Sequence, residues 1–120
     1  MNYVWVGVAG AFGAVTRYAI GLAIGPERFP WVTLAINLTG SFALSFLITF
    51  AAERYLSVPL TTAIAVGFLG AYTTFSTFSH ETFVLAHTGR GGTAAIYVVA
   101  SMLGGLATAW GGYELARAVR

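Results

Sequence analysis

Charge and proline interrupt this chain so rarely that they divide it into only four long apolar segments. A helix that crosses a bilayer needs about 20 mostly apolar residues. The first segment runs from about Tyr3 to Ile24 and is closed by Gly25, Pro26, Glu27, Arg28, Phe29 and Pro30. The second runs from Trp31 to about Ala52 and ends at Glu53 and Arg54. The third begins near Pro59, a residue suited to a first helical turn, and reaches about Ala86. The fourth runs from about Thr93 to Leu115, after the turn His87 to Gly92. The pattern predicts an all-α membrane protein with four transmembrane helices in a single domain over residues 1–120. Connections of roughly six residues predict that consecutive helices are antiparallel neighbours. Tyr3, Trp5, Trp31, Tyr55, Trp110 and Tyr113 fall near the ends of the spans, where amphipathic rings favour the headgroup level.

Composition closes the other routes. The chain is 58% hydrophobic and 8% charged, whereas average globular chains carry about a quarter charged residues. A soluble domain of this size leaves much of its surface in water and has nowhere to hide so much apolar side chain. A soluble bundle would also need a polar outer face on each helix, and none is visible. A net charge of +2 is no basic patch for nucleic acid, and a chain with no cysteine is no disulfide scaffold. No cationic residue precedes Arg17, so the first span does not read as a cleavable signal.

Orientation is evenly poised. With four spans, Arg54, Arg117 and Arg120 share one side, while Arg28, Arg90 and the nearby Arg17 share the other. Three against three gives the positive-inside rule nothing to act on. Either so small a count is noise, or the chain inserts both ways and pairs with its inverted self.

Polar groups within the hydrocarbon are expensive and often functional. The densest run is Gly67-Phe-Leu-Gly70-Ala-Tyr-Thr73-Thr-Phe-Ser-Thr-Phe-Ser79-His-Glu81, with five Ser/Thr between Thr73 and Ser79 in the middle of the third span. A single Ser or Thr in a membrane helix commonly bonds its own i−4 carbonyl and does nothing more. Five together behind Gly67 and Gly70 predict instead a helix broken near the midplane. Freed carbonyls around Gly70 and Thr73 would then suit a small cation, and the N–H groups and hydroxyls after them an anion. Phe75, Phe78, Ser79 and Thr82 share one helical face. Those rings either pack against lipid and core or turn their positive edges toward an anion. Asn37 is interhelical glue beside Gly40 and Ser41, or a donor. Arg17 snorkels to the headgroups, or draws anions into a vestibule. Glu81 pairs, caps a path or meets solvent, and His80 and His87 have no metal-ligand spacing with other candidates.

No nucleophile–base–acid set, phosphate loop or metal cluster is legible, so the expectation is not an enzyme. The interiors of the first, second and fourth spans hold no carboxylate for proton-coupled cation transport. Glycines number 15, and spacings such as Gly21-x-x-x-Gly25 and Ser101-x-x-x-Gly105 predict tight helix contacts within or between chains.

On Gly10-Ala-Phe-Gly13-Ala-Val-Thr-Arg17-Tyr18, Asn37-Leu-Thr-Gly40-Ser41-Phe42, the run from Gly67 to Glu81, and Tyr97-x-x-x-Ser101, the sequence resembles the Fluc/CrcB family of small fluoride channels along its whole length. The resemblance implies an antiparallel homodimer of eight helices in a prokaryotic cell (inner) membrane, with two fluoride pores along the subunit interface. It implies that Phe75 and Phe78 meet fluoride with their edges and that Asn37 is the pore asparagine. Ser76, Thr77 and Ser79 would supply hydroxyls, joined by Ser101 and Tyr97 from the fourth span. Arg17 would stand at the aqueous vestibule. Backbone carbonyls of Gly70 and Thr73 from both subunits would hold one structural sodium ion. The implied role is passive export of fluoride from the cytoplasm, where HF that enters from acid surroundings is trapped as the anion. Ala9, Val32 and Ser45 stand where the family often has glycine, away from the implied pore residues. The rivals are a small multidrug-type dual-topology transporter, which needs a carboxylate in the first span, and a non-conducting accessory subunit, which needs no Ser/Thr–Phe run.

Overall fold

The computed structural model describes residues 2–119, and no strand occurs among them. Helix α1 spans Asn2–Ile24 and α2 spans Trp31–Arg54. The third span is composite. It opens as α3 (Val58–Thr62) with Pro59 in the first turn, widens into a π-helical stretch (Ala63–Leu69), and tightens again as α4 (Gly70–Tyr72). After a break at Thr73 and Thr74 it resumes as α5 (Phe75–His87). Helix α6 covers Gly91–Ala118, beginning before Thr93 and ending after Leu115. All four helical segments are long and apolar enough to cross a membrane, which makes this a multi-pass membrane protein. The longest dimension, 50 Å, exceeds the roughly 40–45 Å of a bilayer with its headgroups.

The turns are built from residues that tolerate or complete them. Gly25 sits at φ +79° and Gly89 at +81°, a region glycine enters without a Cβ penalty. The Glu27 carboxylate accepts the N–H of Val32 at 3.1 Å, satisfying one of the free donors at the start of α2. Two arginines then tie the ends of the bundle. Arg90 donates to the Arg28 carbonyl at 2.6 Å, joining the third connection to the first. Arg54 donates to the Val119 carbonyl at 2.9 Å, joining the second connection to the C-terminal end. The first bond links two connections and the second links a connection to the C-terminal end, each pair lying on one side of the bundle, as an up-down-up-down path requires.

Short loops do not decide which helices pack. Helices α1 and α2 are consecutive yet barely touch, contrary to the expectation drawn from connection length. The dominant pairs are α2 with α6 and α1 with the π-helical stretch and α4. Between membrane helices, small residues that let backbones approach choose the partner. A Cβ on Gly67 would come within 2.7 Å of the Val6 carbonyl oxygen, and one on Gly13 would collide with the Phe68 carbonyl. On α6, a Cβ on Gly104 would meet Leu38 at 2.9 Å, and one on Gly112 would run into the Phe42 carbonyl. Gly21 and Gly105 face open space within the chain, so the contacts their spacing predicts are not made inside it, and other glycines pack the helices here.

The break lets the third span change partners. Its first half lies on α1, whereas α5 lies on α6. The resulting core gathers Leu34, Phe78, Leu85, Ala94 and Tyr97 between α2, α5 and α6, with Phe29 and Leu38 packed against it.

Candidate ion pathway

Thr73 (φ −77°, ψ 157°) and Thr74 (φ −151°, ψ 115°) are extended, midway along the 30 residues of the third span. Gly70 itself is helical at φ −63°, so the glycines ahead of the break are not what breaks it. Gly67 is spent on close approach to α1, and the chain opens at the two threonines. In an unbroken helix the Thr74 N–H would close onto the Gly70 carbonyl. Here it donates to Asn37 Oδ1 at 2.8 Å, and Asn37 Nδ2 donates to the Thr74 carbonyl at 3.0 Å.

The Ser/Thr run divides by task. The Thr73 hydroxyl donates to the Leu69 carbonyl at 3.0 Å, and Thr82 donates to the Phe78 carbonyl at 2.8 Å, both the i−4 back-bond of an ordinary helix. Thr74 behaves differently. Its hydroxyl accepts the Thr77 N–H at 3.2 Å and donates to Thr77 Oγ1 at 3.0 Å, which makes it the N-cap of α5. Ser76 Oγ stands 3.4 Å from the same oxygen. Ser76 and Ser79 are exposed on α5.

Two cavities meet at Thr74, which lines both. The smaller, about 290 Å³, brings together Asn37, Phe75, Phe78 and Ser101 beside Gly70 and Thr73. The phenyl rings of Phe75 and Phe78 stand 5.8 Å apart at 49°. Phe78 is buried at 7% exposure while Phe75 is 74% exposed, although both lie at mid-span. Ser101 Oγ is buried there with no hydrogen-bond partner among the described residues. An unpaired hydroxyl beside two phenyl rings and the first turn of a helix, where the Phe75 and Ser76 N–H groups precede the first intrahelical bond, is a donor-rich setting suited to a small anion.

The larger cavity, about 830 Å³, is the mouth, and Arg17, Thr77, His80 and Glu81 line it. Arg17, Arg28 and Arg90 stand against Glu27 and Glu81, three positive charges to two negative. Both carboxylates are occupied, Glu27 by the start of α2 and Glu81 by two hydroxyls. Arg17 Nε is buried without a partner among the described residues. The mouth therefore carries a formal net charge of +1 with its acids already engaged.

Tyr97 lines neither cavity and is fully buried. Its ring meets Phe78 edge-on at 5.1 Å and 72°, and its hydroxyl donates to Glu81 Oε2 at 2.7 Å. Thr33 donates to the other carboxylate oxygen at 2.9 Å. Sequence reading passed over Thr33 altogether and left Glu81 undecided. The four-residue spacing of Thr33 and Asn37 on α2, which puts both on the face turned to the break, was the available signal.

Similarity to known proteins points the same way. The family described as CrcB-like protein, Camphor Resistance (CrcB), matches residues 4–113. A Geobacillus kaustophilus protein named fluoride-specific ion channel FluC 2 is 46% identical, over 100% of this chain and 96% of its own. A Listeria monocytogenes protein of the same name is 48% identical over 88% of this chain and 83% of its own. A Desulfitobacterium hafniense protein named fluoride-specific ion channel FluC 1 is 45% identical over 91% and 97%. With the family matched over residues 4–113 and relatives 45–48% identical along most of its length, the chain belongs to the CrcB-like family.

Proposed function

We propose that this chain is a fluoride-selective channel that lets fluoride leave the cytoplasm passively across the cell (inner) membrane, working as an antiparallel homodimer with two pores. The observation that carries the reading is the mid-span cavity of Asn37, Phe75, Phe78 and Ser101, which opens beside a cationic mouth. The names of the three relatives supply the ion.

An anion approaching from water meets the positive mouth, where Arg17 raises its local concentration. Thr77 lines that mouth one turn before Glu81 on α5. Deeper in, the ion exchanges water for the Ser101 hydroxyl, the N–H groups of Phe75 and Ser76 at the start of α5 and the edges of Phe75 and Phe78. A narrow path whose fixed donors replace hydration favours the small, strongly hydrogen-bonding fluoride over larger halides. The steps are binding and passage, with no bond made or broken, so the activity is not enzymatic.

Three features support a second copy. Phe75 and Gly70 are exposed at mid-membrane depth, both line the small cavity, and nothing among the described residues packs on Gly21 or Gly105. An inverted partner would cover these and agrees with the three-to-three arginine split. The break also fits a structural sodium ion. The Thr74 N–H is diverted to Asn37, so the Gly70 carbonyl loses its helical donor, and a helix that stops at Thr73 leaves its last carbonyls unbonded. Neutral carbonyls of Gly70 and Thr73 from two inverted copies would hold a small hard cation and fix the two subunits together.

The test is fluoride efflux from liposomes read with a fluoride electrode. Phe75→Ile and Phe78→Ile are each expected to abolish efflux while the protein still elutes as a dimer. Retained efflux in both variants would remove the pore assignment.

A further inference from the structure

We propose that Asn37 and Gly40 of α2 form a cradle that fixes where the third span breaks, and that both are positioning residues for the ion path. Standing three apart, they share one face of α2. Each receives one residue of the break.

Asn37 receives Thr74. Its amide bonds the Thr74 backbone in both directions, at 2.8 and 3.0 Å, as a neighbouring strand would. Thr74 is buried at 9% exposure, so its N–H and C=O have little water to turn to. Extended backbone buried in a membrane needs such a partner.

Gly40 receives Thr73. A Cβ at position 40 would collide with Thr73 Cγ2, whereas its next neighbours would be Tyr72 Cδ1 at 3.4 Å and Thr73 Cβ at 3.7 Å, ordinary contacts. The fit is therefore between a missing side chain on α2 and one methyl group of the break.

The consequence is register. Helix α2 packs along α6, which carries Ser101 and Tyr97. By gripping Thr73 and Thr74, the cradle references the break to the α2–α6 pair and sets Phe75 and Phe78 opposite Ser101. Gly40 needs no contact with an ion for this, and Asn37 acts through Thr74.

The experiment is a double-mutant cycle on the full-length protein, using wild type, Gly40→Ala, Thr73→Ser and the double variant. Two readouts are taken: fluoride efflux from liposomes, and amide hydrogen exchange of residues 70–78 in fluoride-free buffer. Gly40→Ala is expected to lower efflux about tenfold in the Thr73 background, as overpacking would, and less than about twofold in the Thr73→Ser background. Exchange across the break should speed up in Gly40→Ala and return in the double variant. Asn37→Leu should speed exchange of the Thr74 amide about fivefold with no fluoride present, one hydrogen bond's worth. A pure ion ligand would leave that exchange unchanged, and such a result would overturn the cradle. So would an equal effect of Gly40→Ala in both backgrounds, or no effect in either. If Gly40→Ala yields no folded dimer, the same comparison is made on the yield of folded protein, where rescue by Thr73→Ser supports the cradle and its absence overturns it. The efflux arm rests on the fluoride reading. A wild-type protein that carries no fluoride would defeat that reading, and hydrogen exchange alone would then decide the cradle.

Discussion

Tyr97, Thr33 and Glu81 show how a membrane-spanning helix can carry a carboxylate with both oxygens engaged. Both Glu81 oxygens accept a hydroxyl, from Tyr97 at 2.7 Å and Thr33 at 2.9 Å, so the group is solvated by the protein. Tyr97→Phe removes one donor from a fully buried site. Thermal melting in detergent is expected to show a loss of about 1.5–3 kcal/mol, the usual worth of a hydrogen bond to a charged group. Ser101 is the opposite case. Its hydroxyl has no partner among the described residues, so Ser101→Ala breaks no bond among them. That variant should melt like wild type and yet pass fluoride about fivefold more slowly, a factor equal to one bond of about 1 kcal/mol to the ion. A drop in melting temperature with unchanged efflux would assign Ser101 to packing. At this scale the sequence was partly legible. Phe75, Phe78, Asn37 and Ser101 could be singled out, because polar and aromatic residues crowded in an apolar span are conspicuous, and the cavity brings them together. Thr33 and Glu81 meet across 48 residues of chain, and local spacing carries no trace of that pairing.

Among the elements, the third span departs most from a regular helix. A π-helical stretch, a short α-helical turn and an extended pair precede α5, and only the break was readable from the Ser/Thr run. The widened turns from Ala63 to Leu69 carry Gly67 against α1, a role that depends on which helix lies opposite. Helix partners were equally hidden. The loops are short, but glycine contacts put α1 on the third span and α2 on α6. Gly13 and Gly7 test this directly. Gly13→Ala pushes a methyl into the Phe68 backbone and should destabilise by about 1–3 kcal/mol. Gly7 has open space around it, so Gly7→Ala should be neutral or stabilise by up to about 1 kcal/mol through helix propensity. Melting both variants side by side checks the assignment of faces, and equal losses would refute it.

For the molecule as a whole, the apolar composition finds its explanation in helices that are hydrophobic on every side, and the four spans were legible because charge and proline mark their ends. What one chain leaves open is a mid-membrane face carrying Gly70 and Phe75. If the proposed inverted pair holds a sodium ion, replacing sodium with potassium during purification lowers the melting temperature of the protein, and an unchanged profile would exclude the cation. Reporter fusions at the C-terminus should be active on both sides of the membrane, whereas a single orientation would exclude the inverted pair. Selectivity is read by paired efflux of fluoride and chloride from liposomes holding the purified wild-type protein. Rapid loss of fluoride with chloride retained is the predicted result; no fluoride efflux, or the two ions leaving together, would contradict it.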